Sequence, residues 1–188
     1  MFNYQDIIDK YYATQPELRR IYMQHCRSVA DKALDIARRL HLPVDMAEVE
    51  AAAMLHDIGI VLTDAPGIHC HGTQPYLAHG RLGADLLRSE GAPEIYARVA
   101  ERHTGAGLTP EEAAAVGAAL LPPDRSYLPE TLLERLVCYA DKFYSKNGDM
   151  KEKPLERVRA SLARFGADSS ARFEVLHREF SVDSAPLG

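Results

Sequence analysis

Six side chains of metal-binding type are spread along this sequence: His25, the adjacent pair His56-Asp57, His79, His103 and Asp141. The pair poses the question most sharply. It sits inside AAAMLHDIGIVL, residues 51–62, where every neighbour wants to be dry. A buried, unpaired carboxylate is strongly unfavourable, so Asp57 requires a compensating cation, organic or metallic. Imidazole nitrogens and carboxylate oxygens together suit borderline first-row metals such as Fe, Mn, Co, Ni or Zn.

Each residue taken alone has a plainer explanation. A buried histidine is usually a hydrogen-bonded core residue. Eight histidines and 27 acidic residues in 188 positions give about one His-acid dipeptide by chance. Asp141 precedes Lys142, so a salt bridge at the core edge would account for it. The joint pattern weighs more, because separate helices each offer one or two donors from otherwise apolar stripes.

Those helices are read from the apolar period. Residues 3–12 place Tyr4, Ile7, Ile8 and Tyr11 on one face, and from Pro16 to Leu40 a stripe through Ile21, Cys26, Val29 and Ile36 includes His25. Residues 45–58 give the next helix, ending near Gly59. The segment 63–78 has two prolines, two glycines and no period, and is expected to be a functional loop. A helix runs from about His79 to Glu90, and Pro93 opens another with Ile95, Val99 and His103 on one face. Thr109-Pro110-Glu111-Glu112 is a capping box whose helix stops at Gly117. Pro129 starts a helix that lines up Leu133, Val137 and Asp141. The tail carries Leu155, Val158, Leu162 and Phe165, a break at Gly166, and a last helix around 171–180. No alternating strand pattern stands out. The expectation is an all-α helical bundle with a metal site in its core.

Bulk properties limit the setting. Hydrophobic residues make up 46% and charged residues 26%, as in ordinary globular chains. The net charge of -5 argues against nucleic acid or an anionic membrane as partner. No apolar run is long enough to span a bilayer, and the N-terminal residues lack the features of a signal peptide. Cys26, Cys70 and Cys138 are few and widely spaced, which fits a reducing cytoplasm.

The order H…HD…H…H…D resembles the HD superfamily of metal-dependent phosphohydrolases, and LHDIG matches its HDIG variant. HCRSVADKALDIA, AHGRLGADLL, ERHTGAGLTPEE and VCYADKFYSK resemble further motifs of that family. The likeness covers roughly residues 20–146. It implies a single HD-type domain over 1–188, with a core of about 20–146 and C-terminal helices at 154–180 packed on it. The closest motifs are those of small prokaryotic HDIG proteins and of HD-type hydrolases of diadenosine tetraphosphate. Carried over by position, the resemblance implies one metal held by His25, His56, Asp57 and Asp141, and a second held by His79, His103 and a bridging Asp57. One or two divalent ions are expected, with iron favoured among Fe, Mn, Ni, Co and Zn. The chemistry implied is attack of a metal-activated water on phosphorus.

Around that core, Lys142 is expected to act beside Asp57 in catalysis and to meet a substrate phosphate. Arg27, Arg81 and His71 are further substrate-binding candidates, with Arg102 and Lys146 behind them. Each arginine can equally belong to a solvated helix face. His69 and His71, in the loop, can equally be plain exposed residues. His41 and His177 read as surface or capping residues. The leading reading is a phosphohydrolase acting on a nucleotide, a dinucleoside polyphosphate or another small phosphate ester. The alternative is a nucleotide- or metal-binding regulatory module without turnover. Oligomeric state is left open, a homodimer included.

Overall fold

The structure, a computed structural model, describes residues 2–181. Among them are nine α-helices: α1 (Tyr4–Tyr12), α2 (Pro16–Arg39), α3 (Met46–Leu55), α4 (His79–Ser89), α5 (Glu94–Arg102), α6 (Pro110–Val116), α7 (Leu132–Asp141), α8 (Leu155–Ala163) and α9 (Ala167–Phe180). The expected all-α architecture is the observed one.

Helix α3 organises the rest. Ala51 through Leu55 are all buried, so this segment is apolar on every side and lies at the centre, as such helices must. Asp45 caps its start by accepting from the Ala47 and Glu48 amides. Helix α2 packs along α3 and α7, α5 packs on α4, α3 and α7, and α8 and α9 close the bundle over α7. One continuous core runs from Ile8 on α1 to Phe180 on α9.

Helix α3 stops three residues earlier than the sequence period suggests. His56 is its C-cap, and Asp57 leaves the helix at φ -104°, ψ 12° before a 3-10 turn over Ile58–Leu62. Two buried tyrosines secure this turn. Tyr22 donates to the Met54 carbonyl and Tyr12 to the Ile58 carbonyl, occupying acceptors at a helix end.

The 3-10 turn then presses against α4. A Cβ on Gly59 would collide with the His79 carbonyl oxygen and the backbone of Gly83. On the other side of α4, a Cβ on Gly80 would lie 2.7 Å from the Ala100 carbonyl of α5. Glycine at both places lets three backbone segments approach closely.

The segment 63–78 is more ordered than a plain loop. It forms a small sheet of order β2-β1-β3 from β1 (Thr63–Ala65), β2 (Cys70–His71) and β3 (Gln74–Pro75). Pairing is antiparallel with Asp64 opposite His71, and parallel with Thr63 opposite Gln74. Strands of two or three residues are too short for alternation to show in the sequence.

Two other boundaries move. Helix α7 begins at Leu132 rather than at Pro129, because a second capping box, Thr131 with Glu134, fixes its start. The last helix starts at Ala167, before the expected position. Val158 and Leu162 are buried, but α8 ends at Ala163 and Phe165 swings out to 63% exposure.

Candidate metal centre

Five helices deliver the six donors to one place. His25 lies mid-way along α2, where its stripe turns inward; His56 and Asp57 follow α3; His79 opens α4; His103 caps α5; and Asp141 is the last residue of α7. His56 and Asp57 are completely buried, and His25, His79 and His103 nearly so.

The donors fall into two groups that share Asp57. Its Oδ2 is 3.0 Å from His25 Nε2 and 3.1 Å from His56 Nε2, and Asp141 Oδ1 stands 3.1 and 3.4 Å from the same two nitrogens. Its Oδ1 is 3.5 Å from His79 Nε2 and 3.4 Å from His103 Nε2. Donor atoms bound to one first-row ion at about 2.0–2.2 Å lie roughly 3 Å apart, so these spacings are those of ligand sets.

Hydrogen bonding on the far side of the rings orients them. The Nδ1 atoms of His56, His79 and His103 lie 2.6, 2.7 and 2.8 Å from the carbonyls of Ala53, Tyr76 and Ala100. A carbonyl only accepts, so each Nδ1 carries the proton and each Nε2 faces the cluster. His79 Nε2 and His103 Nε2 are 3.0 Å apart. Burial, followed by the neighbouring His103, pushes the His79 pKa down to about 3, and burial lowers that of His103. Both rings are therefore neutral at physiological pH, and two lone pairs face each other with Asp57 Oδ1 beside them. That is repulsive unless a cation lies between.

The first group likewise leaves buried polar atoms to be satisfied. His25 Nε2, His56 Nε2 and both Asp57 oxygens are buried and lack an aligned hydrogen-bond partner, although they lie at contact distance. Burial opposes a charge on Asp57, yet Lys146 and then His56 hold its carboxyl well below the usual range. Burial also opposes a charge on His56, but Asp57 beside it raises that imidazole well above its ordinary value. These atoms fit a metal ion by chemistry and by spacing.

Lysines complete the surroundings. Lys146 Nζ is 2.5 Å from Asp57 Oδ2, an organic cation already beside the carboxylate. Lys142 donates to Asp141 Oδ2 at 2.7 Å and to the His103 carbonyl at 2.9 Å. Burial works against its charge, but Asp141 raises its pKa and keeps the ammonium. A cavity of about 550 Å³ reaches the cluster at Asp141 and is lined by Tyr76, Tyr144, Lys146, Lys153 and Phe165, with residues 65–68 on its loop side.

Of the expected substrate-binding residues, Lys146 lines this cavity, whereas Lys142, Arg27, Arg81 and His71 do not. Lys142 is a nearly buried strut between α7 and α5, because its position at the end of α7 points it at Asp141 and the His103 carbonyl. Arg27 lies two residues after His25, hence on another side of α2, and pairs with Glu50 at 2.9 Å. Arg81 donates to the Leu120 carbonyl and to Asp85, and Arg102 pairs with Glu130 and Glu134. His71 is exposed on β2 and does not line the cavity. His177 is not a plain surface residue, since its Nδ1 is 2.9 Å from the Tyr139 hydroxyl. Tyr76, Tyr144 and Lys153 are not among the sequence-based candidates. For Tyr144 and Lys153 the available signal is a cluster of aromatic and basic residues between Asp141 and Gly166.

Comparisons with known proteins bear on the family and the fold. A family model, HD domain, matches residues 22–145. A tRNA (cytidine(56)-2'-O)-methyltransferase of Thermoplasma volcanium is 34% identical over 94% of this chain and 45% of its own length. One of the same name from Picrophilus torridus is 31% identical, over 86% of this chain and 42% of its own. An uncharacterized protein of Methanocaldococcus jannaschii is 40% identical over 63% of either chain. The chain thus spans about half the length of the curated relatives it matches. Among solved structures, the HD domain of the L. monocytogenes phosphodiesterase PgpH superposes with a TM-score of 0.56 at 15% identity, covering 95% of this chain and 96% of that one. Its complex with cyclic-di-AMP gives 0.57 at 18%, over 94% and 86%. At such identities the likeness is one of fold.

Proposed function

Since the chain belongs to the HD domain family, we propose that it is a metal-dependent phosphohydrolase acting on a nucleotide, with dinucleoside polyphosphates in its range. We read residues 1–188 as one such domain, a reading supported by the core that α8 and α9 share with α1–α5 and α7. The observation that carries the function is the shared Asp57, whose two carboxylate oxygens face separate ligand groups. His25, His56, Asp57 and Asp141 would hold one ion, and Asp57, His79 and His103 a second. Bound there, a first-row cation supplies Lewis acidity, lowering the pKa of water and drawing charge from phosphoryl oxygens.

The chain's own groups prepare the site. The carbonyls of Ala53, Tyr76 and Ala100 fix three imidazoles as Nδ1–H tautomers and aim Nε2 inward. Lys142 holds the Asp141 carboxylate in place. Lys146 and Lys153 present positive charge to the cavity in a chain of net charge -5, which supports an anionic ligand. The same-fold PgpH domain solved with cyclic-di-AMP supports a nucleotide in particular. Methyl transfer is not carried over from the longer relatives, since this chain covers less than half of each. No helix among the described residues is long and apolar enough to cross a membrane. The three unpaired cysteines support a reducing compartment such as the cytoplasm.

Elemental analysis of the purified protein is expected to find a first-row metal, and Asp57→Ala is expected to lose both that metal and phosphate release. Full activity in a metal-stripped Asp57→Ala protein would refute the proposal. A second reading, a nucleotide-binding regulatory module, is favoured by Lys146, which already neutralises Asp57 Oδ2. Tight nucleotide binding with no product over hours would select it.

A further inference from the structure

Phe165 is the most exposed large hydrophobic residue among those described, and it does not pack on the core. It falls between α8 and α9, beyond the span matched by the family model. Isolated exposed hydrophobic residues are common on surfaces, but Phe165 stands at the rim of the cavity that reaches Asp141. Tyr76 and Tyr144 share that cavity's wall, so part of it is aromatic. Lys146 and Lys153 lie in the same wall. Burial lowers the pKa of Lys153; Asp141 opposes this, while Lys142, Lys146 and Arg157 add to it, which marks a cluster of cations around one carboxylate. The cavity, at about 550 Å³, is of the size that takes a small molecule.

We propose that Phe165 is the base-stacking platform of this cavity, so that the substrate is a nucleotide whose base lies on the Phe165 ring and whose phosphates face Lys146, Lys153 and the Asp141 end. An exposed aromatic ring and a cationic floor are the two halves that a nucleoside phosphate needs. Every nucleobase offers a π-face, so the platform selects for a base without selecting which one. The inference rests on the nucleotide reading above and gives it a specificity-determining residue.

Binding tests it. Calorimetric titration of the purified protein with AMP and with ribose 5-phosphate compares ligands that differ by the base, and phosphate release is assayed in the same samples. AMP is expected to bind about tenfold tighter or more, a typical effect of one stacked base. Phe165→Ala should bring that ratio close to one and leave ribose 5-phosphate binding unchanged, while Phe165→Trp should retain it. The side chain is exposed and outside the core, so these variants are expected to fold, which circular dichroism verifies. A wild-type ratio near one, no AMP binding at millimolar concentration, or a ratio untouched by Phe165→Ala would each overturn the inference. A Phe165-dependent ratio without phosphate release would uphold it and instead remove the hydrolytic reading. Release from both ligands at equal affinity would do the reverse.

Discussion

Gly59→Ala tests how the second ligand group is positioned. The added Cβ would meet the His79 carbonyl, the Gly83 nitrogen and, at 2.8 Å, the Gly83 Cα. All three are backbone atoms and cannot rotate away. Ordinary carbon contacts lie at about 3.5–4.0 Å, so the 3-10 turn must retreat from α4 by roughly 1 Å. Overpacking of this kind costs about 1–3 kcal/mol, and a clash with backbone on several atoms belongs at the upper end, about 3 kcal/mol. With a urea slope of about 2 kcal/mol/M, the midpoint should fall by about 1.5 M. The retreat also separates Asp57 from His79, whose facing atoms are 3.5 Å apart. Metal titration followed by elemental analysis should therefore show the second equivalent lost or weakened before the first. Two companions scale the result. Gly83→Ala meets the Gly59 nitrogen at 3.1 Å, an Ile58 methyl at 3.3 Å and, in ordinary contact, the Gly59 Cα at 3.5 Å, and gains about 1 kcal/mol of helix propensity, so it should be nearly neutral. Gly67→Ala enters open space and should be neutral or slightly stabilising. A Gly59→Ala protein within about 0.5 kcal/mol of wild type, with both metal equivalents retained, would refute the close-approach argument.

Tyr22→Phe removes one hydroxyl and leaves the Met54 carbonyl buried without that donor, so urea unfolding should register a loss of about 1–3 kcal/mol with little change in shape. Burial raises the thiol pKa of Cys26 and pushes those of Cys70 and Cys138 up to about 11, so a thiol reagent at pH 8 should label the native protein slowly, and all three cysteines at once after denaturation. Rapid native labelling at pH 8 would show that these side chains are neither dry nor protonated.

What the sequence shows, and what it hides, follows from how far each interaction reaches along the chain. The capping box at Thr109 is readable because donor and acceptor are three residues apart, and the structure has it. The convergence of His25, His56, Asp57, His79, His103 and Asp141 is readable because each polar residue interrupts an apolar segment that has to face inward. Gly59 can be seen in the motif, but its reason lies 20 residues away in the His79 carbonyl. Lys142 illustrates the opposite case. Adjacent to Asp141 in sequence, it invites a role at the substrate, yet the end of α7 sets its ammonium between that carboxylate and the His103 carbonyl. Lys146 lies past the helix end, where no period governs direction, and from there it reaches Asp57, 89 positions earlier in the chain. Phe165 extends the Val158–Leu162 stripe on paper, and only the termination of α8 at Ala163 turns it from core to rim. Periodicity thus identifies residues that stay on their elements. The residues just beyond element ends, which here line the cavity, take their direction from the neighbours they meet in the fold.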